Sequence, residues 1–536
     1  MKLIRPVHVP FVSSLALVAA LGASLGACGD PADSTTEGAG ASGAGASGGG
    51  SGAAGGEGGG DGGLFNNTGG EGGEGGQGTT TTGGTTTSST TQPPDPNGLC
   101  LADTPTDGTT QWAKKAGAVE GQSALGVTTD PQGNVIVAGA FTNSIDFGVG
   151  ALSSAGLTDA YLAKLDPNGT AVWSKKYGDG GFHQYAQHVA TDAQGNIVVS
   201  GHFRGSINFG GGALNDISNF FEDLFVAKLD GAGNHIWSKR YGDINNEESQ
   251  AIATDPQGNI LTVGAFQKTI NFGGGAIIAE DGGFNGFVAK LSPTGDQIWA
   301  KSYGDTTEQK ALGVTSDKDG NVYVVGYHQG SIDFGGGALT ADGTNKNAYI
   351  AKLSPTGAYI WAKSFATTDS AAVDVAVDAS NNVYVLGNYK GSITLGDKTF
   401  DAGNAYNVFL LKLDAAGTQT WAKNYGKPNA AEEASSIALD GAKPILFGIY
   451  NGSIDFGGGA LTSVGGFDIF VAKLDESGCQ THAKSYGDAA LQRGESVALD
   501  PNGNIIFAGS FDGTVDFGAG ALTAEASDAY IVKTKP

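Results

Sequence analysis

One spacing constrains this chain more than any other property. Tryptophan recurs at 112, 173, 237, 299, 361 and 421, and His482 takes the next place, so the intervals run 61, 64, 62, 62, 60 and 61 residues. Each copy sits in the same block, best seen as Phe225-Val-Ala-Lys-Leu-Asp-Gly-Ala-Gly-Asn-His-Ile-Trp-Ser-Lys-Arg-Tyr-Gly-Asp243. Two short runs of alternating apolar and polar residues flank a turn that contains Gly, the pattern of a β-hairpin. A small unit of this kind cannot bury its apolar face alone. Copies repeated at such a period build a solenoid or a propeller, and an all-strand unit favours the propeller.

Each unit reads as four strands. In the first these are Ala124–Asp130 (A), Asn134–Phe141 (B), Tyr161–Leu165 (C) and Val172–Tyr177 (D). A and B are joined by Asp130-Pro-Gln-Gly-Asn134, a turn that returns as Asp192-Ala-Gln-Gly-Asn196, Asp255-Pro-Gln-Gly-Asn259, Asp317-Lys-Asp-Gly-Asn321 and Asp500-Pro-Asn-Gly-Asn504. Asp opens such a turn, Pro presets φ at the next position, and Gly accepts the positive φ that closes it. C and D are joined by equivalents such as Asp166-Pro-Asn-Gly169 and Ser292-Pro-Thr-Gly295. A–B turns fall at 130, 192, 255, 317, 378, 440 and 500, which makes seven units. The first opens on a D strand, Gln111–Lys115, with no C strand before it, and the last ends on a C strand, Ala529–Lys533, with no D strand after it. The expectation is an all-β, seven-bladed ring of four-stranded blades, closed by the N-terminal strand joining the last blade. The sixth unit departs most: its turn Asp440-Gly-Ala-Lys-Pro444 is one residue short, and its Trp is His482.

The Gly-Asn-(Val/Ile)-x-Val-x-Gly strand, the Gly-Ser-Ile-Asp-Phe-Gly-Gly-Gly-Ala-Leu segment and the Ala-Lys-Leu…Trp-Ala-Lys block resemble the seven-bladed propeller repeats of bacterial surface proteins, often called SBBP repeats. The likeness covers about residues 111–533. It implies the fold and an envelope setting, and the family carries no assigned chemistry.

The N-terminal part reads differently. Met1-Lys2 and Arg5 precede an apolar stretch, Phe11–Ala23, too short to span a bilayer and of signal-peptide form. It runs into Leu25-Gly26-Ala27-Cys28, which resembles the bacterial lipobox and implies cleavage before Cys28 and lipidation of that residue. An ordinary signal peptide with an incidental Cys is the alternative. Residues 28–98 are Gly-, Ser- and Thr-rich and cannot bury enough apolar surface to offset their ordering entropy. As a flexible coil of ~70 residues they would reach on the order of 45 Å. The chain therefore divides into a signal peptide (1–27), a lipid-anchored disordered tether (28–98) and the propeller (99–536). This makes it an exported, membrane-anchored protein of the cell envelope, at the outer membrane or cell surface.

Charge narrows the partners. Thirty Lys and Arg face 54 Asp and Glu, a formal net charge of −24, which repels nucleic acid and anionic lipid. Fourteen of the basic residues are part of the repeat: Lys164, Lys228, Lys290, Lys352, Lys412, Lys473 and Lys533 on strand C, and seven more on strand D. These read as outer-strand lysines that discourage sheet-to-sheet association. The Asp-x-x-Gly-Asn turns lack the oxygen-rich spacing of a calcium loop and read as turn chemistry.

Strands alternate in direction, so the tight A–B and C–D turns share one face and the longer D–A and B–C connections share the other. The long connections vary between units, and variable loops on a repeated scaffold are where binding sits. The D–A connections carry Glu120, Glu247, Glu248, Glu308, Asp369, Glu432, Glu433 and Glu495. Of these Glu120, Glu248, Glu308, Asp369, Glu433 and Glu495 are the candidate rim for a cation or an amine-bearing ligand; a solvated acidic rim is the simpler reading of them and the one favoured here. His183, His188 and His202 share one unit without a repeating or metal-ligand pattern. No catalytic constellation, metal site or cofactor motif stands out. Cys100 and Cys479 are candidates for a disulfide across the ring closure.

The expected function is a monomeric, non-catalytic binding or scaffold module on a lipid anchor, taking a protein, a carbohydrate or a cation at the loop face, with no nucleic acid and no cofactor. The competing readings are an enzyme of lyase or hydrolase type using the channel, and a structural coat component.

Overall fold

The computed structural model describes residues 108–118, 120–218, 220–279 and 283–536. The signal-peptide, lipidation and tether readings, and Cys28 and Cys100 with them, lie outside the described residues.

Seven four-stranded antiparallel sheets form the blades of a β-propeller. Blades 1–6 run over residues 122–177, 184–241, 247–303, 309–365, 367–425 and 431–486. Blade 7 combines residues 492–534 with the first strand of the chain, Thr110–Ala116. That strand pairs antiparallel with Asp528–Thr534, Trp112 opposite Lys533 and Lys115 opposite Tyr530, so the ring closes as its incomplete end units require. Strands B and C are buried throughout, and the apolar clusters lie between neighbouring blades. Tyr161, Val135 and Phe141 of blade 1, for example, pack with Ile506 and Ile531 of blade 7.

Three features of the repeat acquire a physical reason. The A–B turn Asp is a hub: Asp192 accepts hydrogen bonds from the backbone N–H groups of Gln194 (3.0 Å) and Asn196 (2.9 Å) and from Asn196 Nδ2 (2.9 Å). It also pairs with the strand C lysine, Lys228 Nζ lying 2.9 Å from its Oδ2. Burial works to raise the Asp192 carboxyl, but Asn196 and Lys228 outweigh it and hold it below the usual range. Equivalent ion pairs join Lys164–Asp130, Lys290–Asp255, Lys352–Asp317, Lys473–Asp440 and Lys533–Asp500. The strand C lysines are thus 2–9% exposed and internal, a correction to their reading as edge guards. Several also reach the next blade: Lys164 Nζ donates to Gly231 O (2.9 Å), and Lys533 Nζ donates to Pro167 O (3.0 Å) across the closure.

The tryptophan does the same from strand D. Trp112, Trp237 and Trp299 donate their indole N–H to Pro167 O, Pro293 O and Pro355 O in the C–D turn of the following blade, at 3.0–3.1 Å. The turn Gly lies under the indole: a Cβ on Gly295 would press on the Trp237 ring, and its φ of 81° is itself a glycine conformation. At the ring closure this turn is cut in two. Lys535 N–H donates to Thr109 O (2.9 Å), and Gly108 takes the turn-glycine place against His482, the residue that replaces Trp.

Strand A carries a β-bulge at the same position in all seven blades, as between Ser249 and Ala251 opposite Gly264–Val263. The bulge drives a strand A carbonyl toward strand B, where a Cβ on Gly264 would strike Glu248 O. The Gly that ends the Val-x-Gly motif is the only residue that clears it.

The Gly-Gly-Gly runs serve the turn of a further element. Between strands B and C sits a small hairpin, such as Ser331–Ile332 with Leu339–Thr340, on which Asp333 Oδ1 accepts from Gly335 and Gly337 N–H. In blade 5 it merges with the main strands, Val383–Leu395 and Lys398–Leu413.

Candidate functional site

The D–A and B–C connections meet around the mouth of the central channel, on the face opposite the A–B and C–D turns. Much of the acid there is structural. In three Tyr-Gly-Asp segments the Asp (Asp243, Asp305 and Asp488) ties the D–A loop to the B–C hairpin. Asp305 accepts from Thr307 N–H (2.8 Å), Ser331 N–H (2.7 Å) and Gln309 Nε2 (2.7 Å), and Asp488 makes the same set with Ala490, Thr514 and Gln492. Four blades begin strand A with Gln (Gln122, Gln184, Gln309, Gln492), whose amide bridges the B–C hairpin, as Gln309 does to Gln329 O (2.9 Å). Glu247 and Glu432 take this place in blades 3 and 6. Both are fully buried, and burial pushes their carboxyls up to about 10 and about 8.

The next strand A position is where the blades differ most. In order it holds Ser123, Tyr185, Glu248, Lys310, Ala371, Glu433 and Arg493. Between blades 3 and 4 it builds an ion-pair network. Lys310 Nζ lies 2.6 Å from Glu248 Oε2 and 3.7 Å from Glu308 Oε1, and 4.6 Å from the Phe284 ring centre. Glu308 also pairs with Lys346 (3.5 Å) and accepts the Tyr327 hydroxyl (2.8 Å), while Lys346 Nζ lies 4.3 Å from the Tyr327 ring centre. Burial works to raise Glu308, but Tyr327 and the two ammonium groups outweigh it and hold its carboxyl low.

Between blades 5 and 6 the arrangement changes. Asp369 Oδ2 accepts the Tyr406 hydroxyl at 2.7 Å, and its Oδ1 is buried without a hydrogen-bond partner. Glu433 is 5% exposed, its Oε2 has no partner, and burial pushes its carboxyl up to about 8. Glu495, at the bulge of blade 7, is raised to about 7 by burial against a smaller opposing pull from Arg493. Asp374 of blade 5 is raised to about 6, again by burial, and clamps blade 6 by accepting from Ile437 N–H (2.9 Å) and Ser436 Oγ (3.1 Å).

Of the six candidate rim residues, then, Glu248 and Glu308 share one network, Asp369 accepts the Tyr406 hydroxyl, Glu433 is buried on blade 6, Glu495 is half-buried on blade 7, and Glu120 is exposed on its own loop. Blade 2 gathers histidines that the chain order keeps apart. His202 Nε2 lies 3.3 Å from Glu222, the Tyr185 ring packs 5.1 Å from His202, and Tyr185 Oη lies 3.4 Å from His183 Nδ1. His188 stands elsewhere on strand A and is held neutral by burial, its pKa lowered to about 4. Among the described residues no group of three or more His, Cys, Asp or Glu is placed to hold a metal ion. Beside this cluster the loops of blades 1–3 expose Leu157, Ile217, Phe220 (79%), Phe221 and Ile244. Sequence reading missed that apolar patch; the adjacent Phe220-Phe221 in a loop was its one visible signal.

No family model matches the chain. An uncharacterised WD repeat-containing protein of Acanthamoeba polyphaga mimivirus is 20% identical over 509 residues, which span 76% of this chain and only 36% of that relative. Among solved structures, the polysaccharide lyase Uly1 aligns with a TM-score of 0.40 at 9% identity, over 77% of this chain and 90% of the other. A protein of unknown function from Dyadobacter fermentans gives 0.36 at 12% identity, over 65% and 94%. Structural likeness this slight says nothing about activity. The chain is a β-propeller repeat protein by its own architecture, and its sequence relative is a repeat protein too.

Proposed function

We propose that this protein is a non-catalytic binding module that recognises a partner at the channel mouth, carried on an exported lipoprotein of the SBBP-repeat kind and anchored through Cys28. One observation carries the reading. On a scaffold that repeats seven times, a single mouth-facing position holds Ser, Tyr, Glu, Lys, Ala, Glu and Arg in turn, and side chains that change from blade to blade on a constant frame are how a repeat fold writes specificity. The exposed Ile217, Phe221 and Ile244 add apolar area on the same loop face as the charged network, the mixture a protein partner uses. The test compares partner capture from envelope extracts by the parent, by a mouth variant (Lys310→Ala with Phe221→Ala) and by an opposite-face variant (Asp319→Asn). Capture lost only in the mouth variant supports the reading, and equal capture by all three overturns it. Labelling with radioactive palmitate, abolished by Cys28→Ala, tests the anchor.

Raised carboxyls at the channel favour a second, catalytic reading. It would rest on Glu433 and Glu495, since Asp374, Glu247 and Glu432 are engaged in holding the blades and loops. No nucleophile–base pair lies beside them among the described residues, and binding is the better account.

A further inference from the structure

Between Gly29 and Gly98 the chain holds no Ile, Val, Met, Trp or Tyr. Its only large apolar residues there are the adjacent pair Leu64-Phe65, set between Gly62-Gly63 and Asn66-Asn67. The nearest others are Leu25 and Leu99. A spacer made of Gly, Ser and Thr needs no such pair, and the pair has no apolar neighbour in the tether with which to leave water. A surface elsewhere must cover it.

The propeller offers one at the seam between blades 2 and 3. Phe220, Ile278 and Ile244 are 79, 72 and 63% exposed, and Ile217 and Phe221 are exposed beside Phe220. Hydrogen bonds hold these residues together. Ser218 Oγ accepts from the Phe220 and Phe221 N–H groups (3.2 and 2.9 Å), which folds the B–C connection of blade 2 back on itself. Glu247 N–H donates to Glu222 O (3.2 Å), which sets that connection beside the D–A segment carrying Ile244. Asp243, next to Ile244, accepts from Thr269 N–H (3.2 Å), and Thr269 is paired with Ile278 on the blade 3 hairpin. Apolar side chains fixed together in water mark a docking surface.

The length of chain outside the described residues decides for the protein's own tether. Phe65 lies 43 residues before Gly108, which sits on the turn face against His482. Fully extended, that stretch spans ~140 Å. The strands it must pass have seven or eight residues, about 25 Å. With the coil dimensions its composition implies, it holds Leu64-Phe65 near the propeller at an effective concentration on the order of a millimolar. The same pair on a second copy, present at micromolar concentration, competes about a thousandfold less well. We propose that Leu64-Phe65 docks on the seam of Ile217, Phe220, Phe221, Ile244 and Ile278 of its own propeller, a two-residue apolar anchor that folds the tether back from the turn face to the loop face. The contact is intramolecular and stands without any partner at the mouth; a partner that uses Phe221 competes with it.

A photoreactive benzoylphenylalanine placed at position 65 of the full-length protein in detergent, with cross-linked peptides mapped by mass spectrometry, tests the proposal. Cross-links to residues 214–247 and 269–278 are expected, and the same probe at position 87 should give about fivefold fewer there. Phe221→Ser combined with Ile244→Ser should lower the yield from position 65 by about the same factor. Both side chains are exposed, and unchanged thermal melting verifies the fold of that variant. Cross-links spread over the whole propeller surface overturn the proposal, as does a yield that the double substitution leaves unchanged. In a mixture of isotope-labelled and unlabelled protein, cross-links within single-label chains are expected, and mixed-label pairs would move the docked segment to a second copy and overturn the intramolecular contact. Partner capture that needs Lys310, with no cross-link at the seam, would keep the mouth as a binding surface while removing the docked tether.

Discussion

The strand C lysines show how far a single residue can be read from its neighbours in sequence. Alternation places Lys228 on a strand, but it does not show that a turn Asp from the adjoining hairpin waits beside it. The outcome is a buried pair, Lys228–Asp192, in which loss of one partner strands the other. Lys228→Ala is expected to lower stability by about 3 kcal/mol in urea unfolding, and removal of both charges with Asp192→Asn should cost less than the sum of the single changes. Burial has the opposite effect on acids without partners. The folded Glu433 carboxyl titrates at about 8 and the unfolded one near 4.5, so between those values the folded state holds more protons. Its contribution to stability is therefore present below pH 4.5 and lost as pH rises toward 8. Glu433→Gln should abolish that part of the decline, so the gap in melting temperature between variant and parent widens from pH 5 to pH 8.5. His188 runs the other way, since its pKa lies below the unfolded value and stability falls as pH drops from about 6.5 to 4.

At the scale of elements, what lay within four or five consecutive residues was legible. Turn chemistry is local, so Asp-Pro-x-Gly-Asn placed the A–B turns correctly, including the shortened one at Asp440–Lys443. The B–C hairpins were not legible, because strands of two residues leave no alternation to count. Nor was the strand A bulge, which announces itself only in the Gly opposite. Gly264→Ala tests this: its Cβ meets Glu248 O, so the bulge must shift, and about 2–4 kcal/mol of stability should be lost in denaturant unfolding. The first strand is the most consequential element. Removing residues 108–116 strips blade 7 of its outer strand and frees the edge of Asp528–Thr534. The shortened protein should melt well below the parent and aggregate, as scanning calorimetry and light scattering would show. The candidate site was legible only as a set of acids on one face. Which of them pair, which stay protonated and which remain without donors depends on contacts between blades about 60 residues apart, beyond any local pattern.

For the whole molecule, closure is the organising fact. Six blades are each continuous in sequence, and the seventh joins both ends of the repeat region. Cys479, in the C–D turn of blade 6, is disulfide-bonded. Under the proposed anchoring through Cys28, Cys100 is the expected partner, eight residues before Gly108. Non-reducing mass spectrometry should find the peptides of Cys100 and Cys479 linked; two alkylatable thiols would contradict the pairing. Gly108, Thr534 and Pro536 all lie on the face of the A–B and C–D turns, opposite the mouth.

That placement has a mechanical side. Whatever pulls on the segment before Gly108 pulls on the strand that fastens the ring. Tension directed away from the turn face runs along Thr110–Ala116, so its hydrogen bonds to Asp528–Thr534 share the load together instead of parting one by one. A covalent link at Cys479 would divert the strain into blade 6, whose strands are continuous in sequence, before it reached the clasp. The same seam that completes the propeller would then also act as its strain gauge, with the mouth on the unloaded side.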